Sequence, residues 1–383
     1  MAESRKLAFV DVARGLAILL VIWVHHGQVF SDLPMIQVVS SYGQLGVQLF
    51  FLASAFTLCM SSQARRNETG ALRNFMLRRF FRIAPLYYLG LLVYFSVSTL
   101  ASRNNPAADD IYTAGNVALN LLFVHGFSPS AYNGVVPGGW SIGAEMAFYA
   151  LFPALILAMA KTYSLFGNLA LIAWPIAALA FDATVMAILC ASGMTIENNS
   201  FLYYNIANQL PVFIIGMAAF VAIADGKLAP SPRRDGALFA LLTIIAFALL
   251  HPSHIGLGAA AAAVLLPSVA GLSFVFLLNL LRMARPNLAT AAIGWIGQLS
   301  YSMYIFHFLF AWTATGKALR ILGGLLPQAQ ALLYLPSLIA TMGASALVAL
   351  ISKRLVEDRF IAIGRSAIRA LNDRDERRLQ AEV

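Results

Sequence analysis

The stretch FVDVARGLAILLVIWVHH occupies residues 9–26 and decides the class of fold. It lies within an apolar run over residues 7–30, which is longer than the roughly 20 apolar residues that an α-helix needs to cross a bilayer. Four ionisable side chains interrupt this run: Asp11, Arg14, His25 and His26. Ionisable groups are costly inside a membrane and usually mark a functional site. The stretch therefore predicts a transmembrane helix that carries part of a site.

The composition of the whole chain agrees with a membrane location. Of its 383 residues, 60% are hydrophobic and 11% are charged, whereas about 25% of a typical soluble domain is charged. So few charges cannot cover the surface of a soluble fold. The formal net charge is +9, but the basic residues cluster between apolar runs. This is the positive-inside pattern of membrane proteins, and it argues against a nucleic-acid partner.

Apolar runs with the length of a membrane span recur along the chain. We predict an all-α, polytopic integral membrane protein with about ten transmembrane helices. The predicted spans are residues 7–30, 43–62, 82–101, 139–160, 167–190, 201–223, 236–251, 258–281, 290–312 and 329–351. A further apolar stretch, residues 114–125, is too short to cross, and we expect it to be re-entrant or interfacial.

The basic clusters set the predicted orientation. Arginines crowd residues 65–82 and the segment after residue 353, whereas the alternate connections are weakly charged or acidic, as at Asp109–Asp110 and around Glu197. Both termini are therefore predicted to be cytoplasmic. We divide the chain into a transmembrane domain over residues 1–360 and a charged cytoplasmic tail over residues 361–383, which we expect to form a short amphipathic surface helix.

Spacing relates the polar groups of the first helix. Arg14 and His25 are eleven residues apart, which is three turns plus about 20°, so they share a face and lie roughly 16 Å apart along the axis. Asp11 precedes Arg14 by three residues and can pair with it. His26 points about 100° away from His25. A polar stripe facing a cavity explains this pattern; the alternative is that Arg14 anchors the helix at the membrane surface and His25 is a packing group.

The same run resembles the opening motif of the membrane-bound acyltransferase 3 family. That motif places an aspartate three residues before an arginine and a histidine eleven residues after it, and Asp11, Arg14 and His25 match in order and spacing. Later segments resemble further family motifs in the same order: GQLGVQLFFLASAF (43–56), RRFFRIAPLYY (78–88), WSIGAEMAFY (140–149), GQLSYSMYIFH (297–307) and RLVEDRF (354–360). Ala55 departs from the pattern, because the family usually has glycine there.

The resemblance implies an activity. Members of this family are O-acyltransferases of cell-surface glycans and related acceptors, and they lie in the bacterial inner membrane. We therefore expect transfer of an acyl group, acetyl in many members, from cytoplasmic acyl-CoA to a hydroxyl of a sugar or glycan. Acyl-CoA, a carbohydrate acceptor and membrane lipid are the expected partners. Acyl-CoA is a co-substrate, and no permanently bound cofactor and no metal ion are expected.

The resemblance and the residue chemistry together assign roles. His25 is the predicted general base, or it carries the acyl group covalently, and Glu145 is predicted to orient it. Guanidinium groups suit phosphate oxygens, so the predicted donor-binding residues are Arg14, Arg78, Arg79 and Arg82; anionic lipid is the alternative partner for these arginines. The predicted substrate-binding residues are Asp11, Trp140, Ser141, Tyr149, Tyr304 and His307.

Two other functions remain open from the sequence. A transporter or flippase of a glycan or lipid precursor would also need many spans and buried charges, although it would not explain the ordered motifs. A different class of membrane acyltransferase uses a histidine late in the chain, for which His307 is the candidate.

Overall fold

A computed structural model describes residues 2–102, 111–325 and 330–381, and the described residues are helical without strands. The helices are α1 (Ala2–Gly27), α2 (Pro34–Ser40), α3 (Gly46–Ala64), α4 (Ala71–Ser102), α5 (Ala114–Leu121), α6 (Gly139–Phe166), α7 (Asn168–Ala191), α8 (Phe201–Tyr204), α9 (Ile206–Ala224), α10 (Pro232–Leu250), α11 (Ala259–Met283), α12 (Leu288–Phe308), α13 (Thr315–Leu325), α14 (Gln330–Ser352) and α15 (Asp358–Ala381). The predicted all-α, multi-pass membrane fold is confirmed.

Nine of the ten predicted spans each correspond to one of these helices, and the span 201–223 corresponds to α8 and α9 together. Eight helical segments within the described ranges are long and apolar enough to cross a membrane. The other two are α10 and α12. Helix α10 begins with two arginines and an aspartate, and α12 carries serines, tyrosines and a histidine that lower its hydrophobicity. Both pack against segments that are apolar enough to cross, α10 on α11 and α12 on α1. The count of about ten spans and the cytoplasmic location of the termini stay predictions.

The short connections lie at the two ends of the bundle. We call the end with the α3–α4, α9–α10 and α11–α12 connections the basic end, and the end where α1 stops at Gly27 the far end. The stretch predicted to be re-entrant forms α5, which has eight residues and is too short to cross. Asp109–Asp110, taken above as part of an acidic outer connection, lies outside the described residues.

Helices α1 and α12 cross in close backbone contact. A Cβ atom at Gly297 would lie 1.8 Å from the carbonyl oxygen of Asp11, and one at Gly15 would lie 2.0 Å from that of Ile293. Glycines at such crossings let membrane helices approach closely, where packing contacts rather than the hydrophobic effect hold them together. This crossing fixes the polar residues of α1 against those of α12.

The charged C-terminal segment forms α15 and packs along α4. Arg73 forms an ion pair with Asp375 at 2.8 Å and donates a hydrogen bond to Asn372. A Cβ atom at Gly364 would lie 2.8 Å from the side chain of Phe81. The helix begins at Asp358, two residues before the proposed domain boundary, and the assignment of residues 361–383 as a separate cytoplasmic tail stays a prediction.

Candidate active site

A central cavity, which we call the arginine cavity, lies between α1, α3, α4, α6 and α12. Its lining combines charged and hydroxyl groups with apolar side chains. The lining residues are Arg14, Val47, Phe50, Phe51, Ser54, Thr57, Arg79, Arg82, Ile83, Ser141, Ile142, Glu145, Tyr149, Ser300, Tyr301 and Tyr304. Seven of the predicted site residues therefore meet in one place although they come from four different helices.

Three arginines face this cavity with little to neutralise them. Among the described residues, Arg14 and Arg82 make no hydrogen bond or ion pair, and the buried Nε of Arg79 has no partner. The Arg79 guanidinium lies over the rings of Phe75 and Tyr149, at 5.7 and 5.5 Å from their centroids. Unpaired guanidiniums inside a membrane protein are costly. Their cost is offset when an anionic ligand binds them.

Glu145 is the one carboxylate among the residues that line the cavity. Ser54 Oγ donates a hydrogen bond to Glu145 Oε1 at 2.6 Å, and the Tyr149 hydroxyl donates to the same oxygen. Ser54 and Tyr149 also lie within 3.2 Å of each other. The lining thus holds three guanidinium groups against one carboxylate, which leaves a net positive charge.

Arg78 stands apart from the other three predicted donor-binding arginines. It is absent from the cavity lining and forms a bidentate ion pair with Glu68, at 2.8 and 2.9 Å. The hydrogen bond from Arg78 holds the pKa of the Glu68 carboxylate below its ordinary value. A guanidinium already bound to a carboxylate has few free donors for a phosphate, so Arg78 is placed to brace the start of α4.

His25 lies one residue before His26, in the last turn of α1. Its Nδ1 donates to Oε1 of Gln28 at 3.1 Å, so Nε2 keeps its lone pair and can accept a proton. The imidazole packs on Phe308, with ring centroids 4.4 Å apart, and on the edge of Trp312 at 5.6 Å. Trp312 belongs to a π-helical turn, Leu309–Ala314; such turns often occur at functional sites.

His307 lies directly beside His25, with ring centroids 5.3 Å apart. His307 Nδ1 donates to the carbonyl oxygen of Tyr304 at 2.7 Å, and its buried Nε2 has no partner among the described residues. The Tyr304 hydroxyl is in turn bonded to Ser141 Oγ at 2.7 Å and to the carbonyl of Gly138 at 3.0 Å. Tyr304 lines the arginine cavity, so α12 connects that cavity to the histidine pair.

The structure shows no contact between Glu145 and His25, although Glu145 was predicted to orient the His25 imidazole. Glu145 lies one turn further along α6 than Ser141 and bonds to Ser54 and Tyr149, whereas His25 bonds to Gln28. The pairing expected between Asp11 and Arg14 is also absent. Asp11 instead accepts a hydrogen bond from Gln298 on α12 at 3.4 Å.

Trp140, predicted to bind substrate, lies outside the cavity. Its ring is buried and packs on Tyr204 at 4.5 Å and on Phe51 at 6.0 Å. His26, which the motif left without a role, is fully buried and lies within 3.0 Å of Ser337 Oγ on α14. Both residues join helices together.

Sequence reasoning missed two polar partners. Gln28 follows His25 by three residues, the spacing at which helical side chains meet, so a search for acceptors at that distance could have found it. Ser54 lies within the motif segment 43–56 but was given no role, and its contact with Glu145 depends on the packing of α3 against α6. No local pattern predicts that contact.

Comparison with known proteins identifies the family. The model of the family described as "Acyltransferase domain" matches residues 7–350. The peptidoglycan O-acetyltransferase OatA of Listeria monocytogenes is 25% identical over 334 residues, which cover 80% of this chain and 49% of OatA. The acyltransferase MdmB of Streptomyces mycarofaciens is 28% identical over 117 residues, which cover 30% of this chain and 29% of MdmB.

The chain spans about half the length of OatA and less than a third of the length of MdmB in these matches. No solved structure matches the chain significantly. The family match covers all five helices that line the arginine cavity, together with both histidines beside it. The protein therefore belongs to the membrane-bound acyltransferase 3 family and is an acyltransferase.

Proposed function

We propose that the protein transfers an acyl group, acetyl in the first instance, from cytoplasmic acyl-CoA to a hydroxyl group of a sugar or glycan at the bacterial inner membrane. The observation that carries this proposal is the cavity in which Arg14, Arg79 and Arg82 face one carboxylate without ion pairs of their own. Coenzyme A carries several phosphate charges, and guanidinium forks bind phosphate oxygens strongly.

The cavity and the histidine pair suggest how the reaction proceeds. The arginines hold the phosphates toward the basic end, and the pantetheine arm carries the thioester along α1 toward His25. Nε2 of His25 removes the proton from the acceptor hydroxyl as its oxygen attacks the thioester carbonyl. The C–S bond then breaks, and the proton passes from His25 to the departing thiolate.

Glu145 has a different role in this scheme from the one expected at the sequence level. Because its carboxylate faces the arginines and not His25, we assign it to the donor end of the reaction. There it balances the arginines while the cavity is empty, and Ser54 and Tyr149 hold it in place.

The proposal is tested with purified protein and acetyl-CoA labelled in the acetyl group. We expect the wild type to bind acetyl-CoA and release labelled acetyl slowly without acceptor. His25→Ala should abolish this release and keep binding, whereas Arg82→Ala should weaken binding at least tenfold. His254→Ala and Arg285→Ala are matched controls, because both side chains are exposed and lie outside the cavity. Normal release by His25→Ala would refute the assignment of the base.

The neighbouring His307 supplies the competing candidate for the base. Its Nε2 also lacks a hydrogen-bond partner among the described residues and carries a free lone pair, because Nδ1 donates to the Tyr304 carbonyl. If His307→Ala abolishes acetyl release while His25→Ala does not, the base is His307. A covalent acyl-His25 intermediate would add one acetyl mass to the acid-quenched wild-type protein and none to His25→Ala.

A further inference from the structure

A second cavity borders His25 at the far end of the bundle. We call it the amide groove. Its lining residues are Val24, His25, Gln28, Gln37, Ser40, Ser41, Gln44 and Tyr204. Apart from His25, every polar group in this lining is an amide or a hydroxyl. The arginine cavity and the amide groove therefore offer opposite chemistry.

Several hydrogen-bonding groups of the amide groove are unused. The side-chain amide of Gln37 and the hydroxyl of Tyr204 have no hydrogen-bond partner within the described residues. Gln44 Nε2 donates to the carbonyl of Ser41 at 3.1 Å, which leaves its Oε1 free. An amide is both a donor and an acceptor, which suits the hydroxyl groups of a sugar.

The packing around the groove holds these groups in place. Helix α2, which carries Gln37, lies so close to the end of α1 that a Cβ atom at Gly27 would be 2.1 Å from Ser40 Oγ. The ring of Tyr204 stacks on Tyr132 at 5.9 Å and packs on Trp140 at 4.5 Å. Groups fixed before binding lose little conformational entropy when a ligand arrives.

The absence of charge in the lining narrows the class of ligand. No aspartate, glutamate, lysine or arginine lines the described part of the groove. A site for a uronate, a sulfate ester or a phosphate normally supplies a cation, as the arginine cavity does. Uncharged amides bind neutral hydroxyl and acetamido groups without a buried charge.

We propose that the amide groove is the acceptor site and that it selects an uncharged, hydroxyl-rich carbohydrate, with Gln37 and Tyr204 as specificity-determining contacts. This inference rests on the proposed function, because it takes His25 as the base at the end of the groove. Gln37 and Tyr204 hold the acceptor by its remaining hydroxyl groups while one hydroxyl faces His25.

The test compares neutral and anionic sugars of equal length. The probes are a trimer of β-linked N-acetylglucosamine, a trimer of glucose and a trimer of galacturonic acid. The protein is kept in a detergent without a sugar head group, because a maltoside would compete. Binding is measured by saturation-transfer NMR without donor, and transfer is measured as acceptor-dependent release of free CoA from acetyl-CoA.

Two variants and two controls test the named contacts. Gln37→Ala removes the unpaired amide, and Met35→Ala is its control because Met35 lies on the same helix and is 75% exposed. Tyr204→Phe removes only the hydroxyl, and Tyr132→Phe is its control because Tyr132 stacks behind Tyr204 outside the lining. We expect each test variant to raise the KM for a neutral trimer by roughly 3- to 10-fold, as loss of one hydrogen bond does, with binding of acetyl-CoA unchanged.

The possible outcomes separate this inference from the proposed function. The inference is supported by binding of and transfer to a neutral trimer, by at least tenfold weaker binding of the galacturonate trimer, and by an effect limited to the two test variants. Three results would overturn the inference: no binding of either neutral trimer, equal use of the anionic trimer, or equal effects of variants and controls. If acetyl release still depended on His25, the proposed function would stand. Binding of a neutral trimer without any His25-dependent acetyl release would overturn both the acceptor role and the proposed function.

Discussion

The hydrogen bond between His25 and Gln28 offers a direct test of how the proposed base is oriented. Gln28 Oε1 accepts the proton of His25 Nδ1 at 3.1 Å, which selects the tautomer with a lone pair on Nε2. Gln28→Leu removes the acceptor, so the imidazole can adopt the wrong tautomer or turn away. Gln28→Glu keeps an acceptor oxygen at about the same position, so this variant should retain more activity than Gln28→Leu.

The size of the effect follows from the strength of one hydrogen bond. A neutral bond of this kind contributes about 0.5–1.5 kcal/mol net, and each 1.36 kcal/mol corresponds to about a tenfold change in rate. The loss in kcat for Gln28→Leu should therefore be about 2- to 10-fold. The lower half of this range is expected, because Gln28 is exposed and water can replace its oxygen.

The assay is acceptor-dependent release of CoA, with the dissociation constant of acetyl-CoA measured in parallel. We expect kcat to fall in Gln28→Leu and to be kept within about twofold in Gln28→Glu, while binding of acetyl-CoA stays unchanged in both. Loss of acetyl-CoA binding in either variant, or equal loss of kcat in the two, would show that Gln28 supports the fold rather than the orientation of His25.

Three further predictions test other parts of the molecule. Arg78→Gln should change acetyl-CoA binding by less than about threefold at pH 7, whereas Arg82→Gln should weaken it more than about tenfold, because only Arg78 is held by a carboxylate. The ion pair between Arg78 and Glu68 should be lost as the pH falls through the lowered pKa of Glu68, because the carboxylate is charged only above that pKa. Trp140→Ala should lower the thermal unfolding temperature without a selective change in acetyl-CoA binding, since loss of a buried tryptophan costs about 3–5 kcal/mol. Gly297→Val should reduce the yield of folded protein, because its side chain would overlap the backbone of α1 at the crossing.

The fold was largely predictable because membrane helices are recognised in a sequence by their length and hydrophobicity. The predicted span 139–160 and helix α6, Gly139–Phe166, begin at the same residue, and the span 167–190 differs from α7 by one residue at each end. Backbone groups in a bilayer must be hydrogen-bonded within the protein, and a continuous apolar run of about 20 residues has the length at which a helix crosses the bilayer. Helix α12 is less apolar because it carries the site.

The site was predictable along single helices and less so between them. The shared face of Ser141, Glu145 and Tyr149 follows from helical spacing, and all three line the cavity. The partner of Glu145 depends on how α6 packs against α3 and α1, which spacing within one helix does not determine. The expected contact with His25 therefore failed, whereas the convergence of Arg14 with Arg79 and Arg82 was anticipated from their shared chemistry.

Helix α12 connects the charged cavity that we propose as the donor site with the uncharged groove that we propose as the acceptor site. Tyr304 lines the arginine cavity, and His307, one turn later, lies against His25 at the border of the amide groove. Arg14 and His25 lie roughly 16 Å apart along α1, so in this proposal the donor phosphates bind well away from the acceptor sugar. A long, flexible acyl carrier is then the kind of donor that this spacing favours, because only its uncharged arm has to reach the histidines.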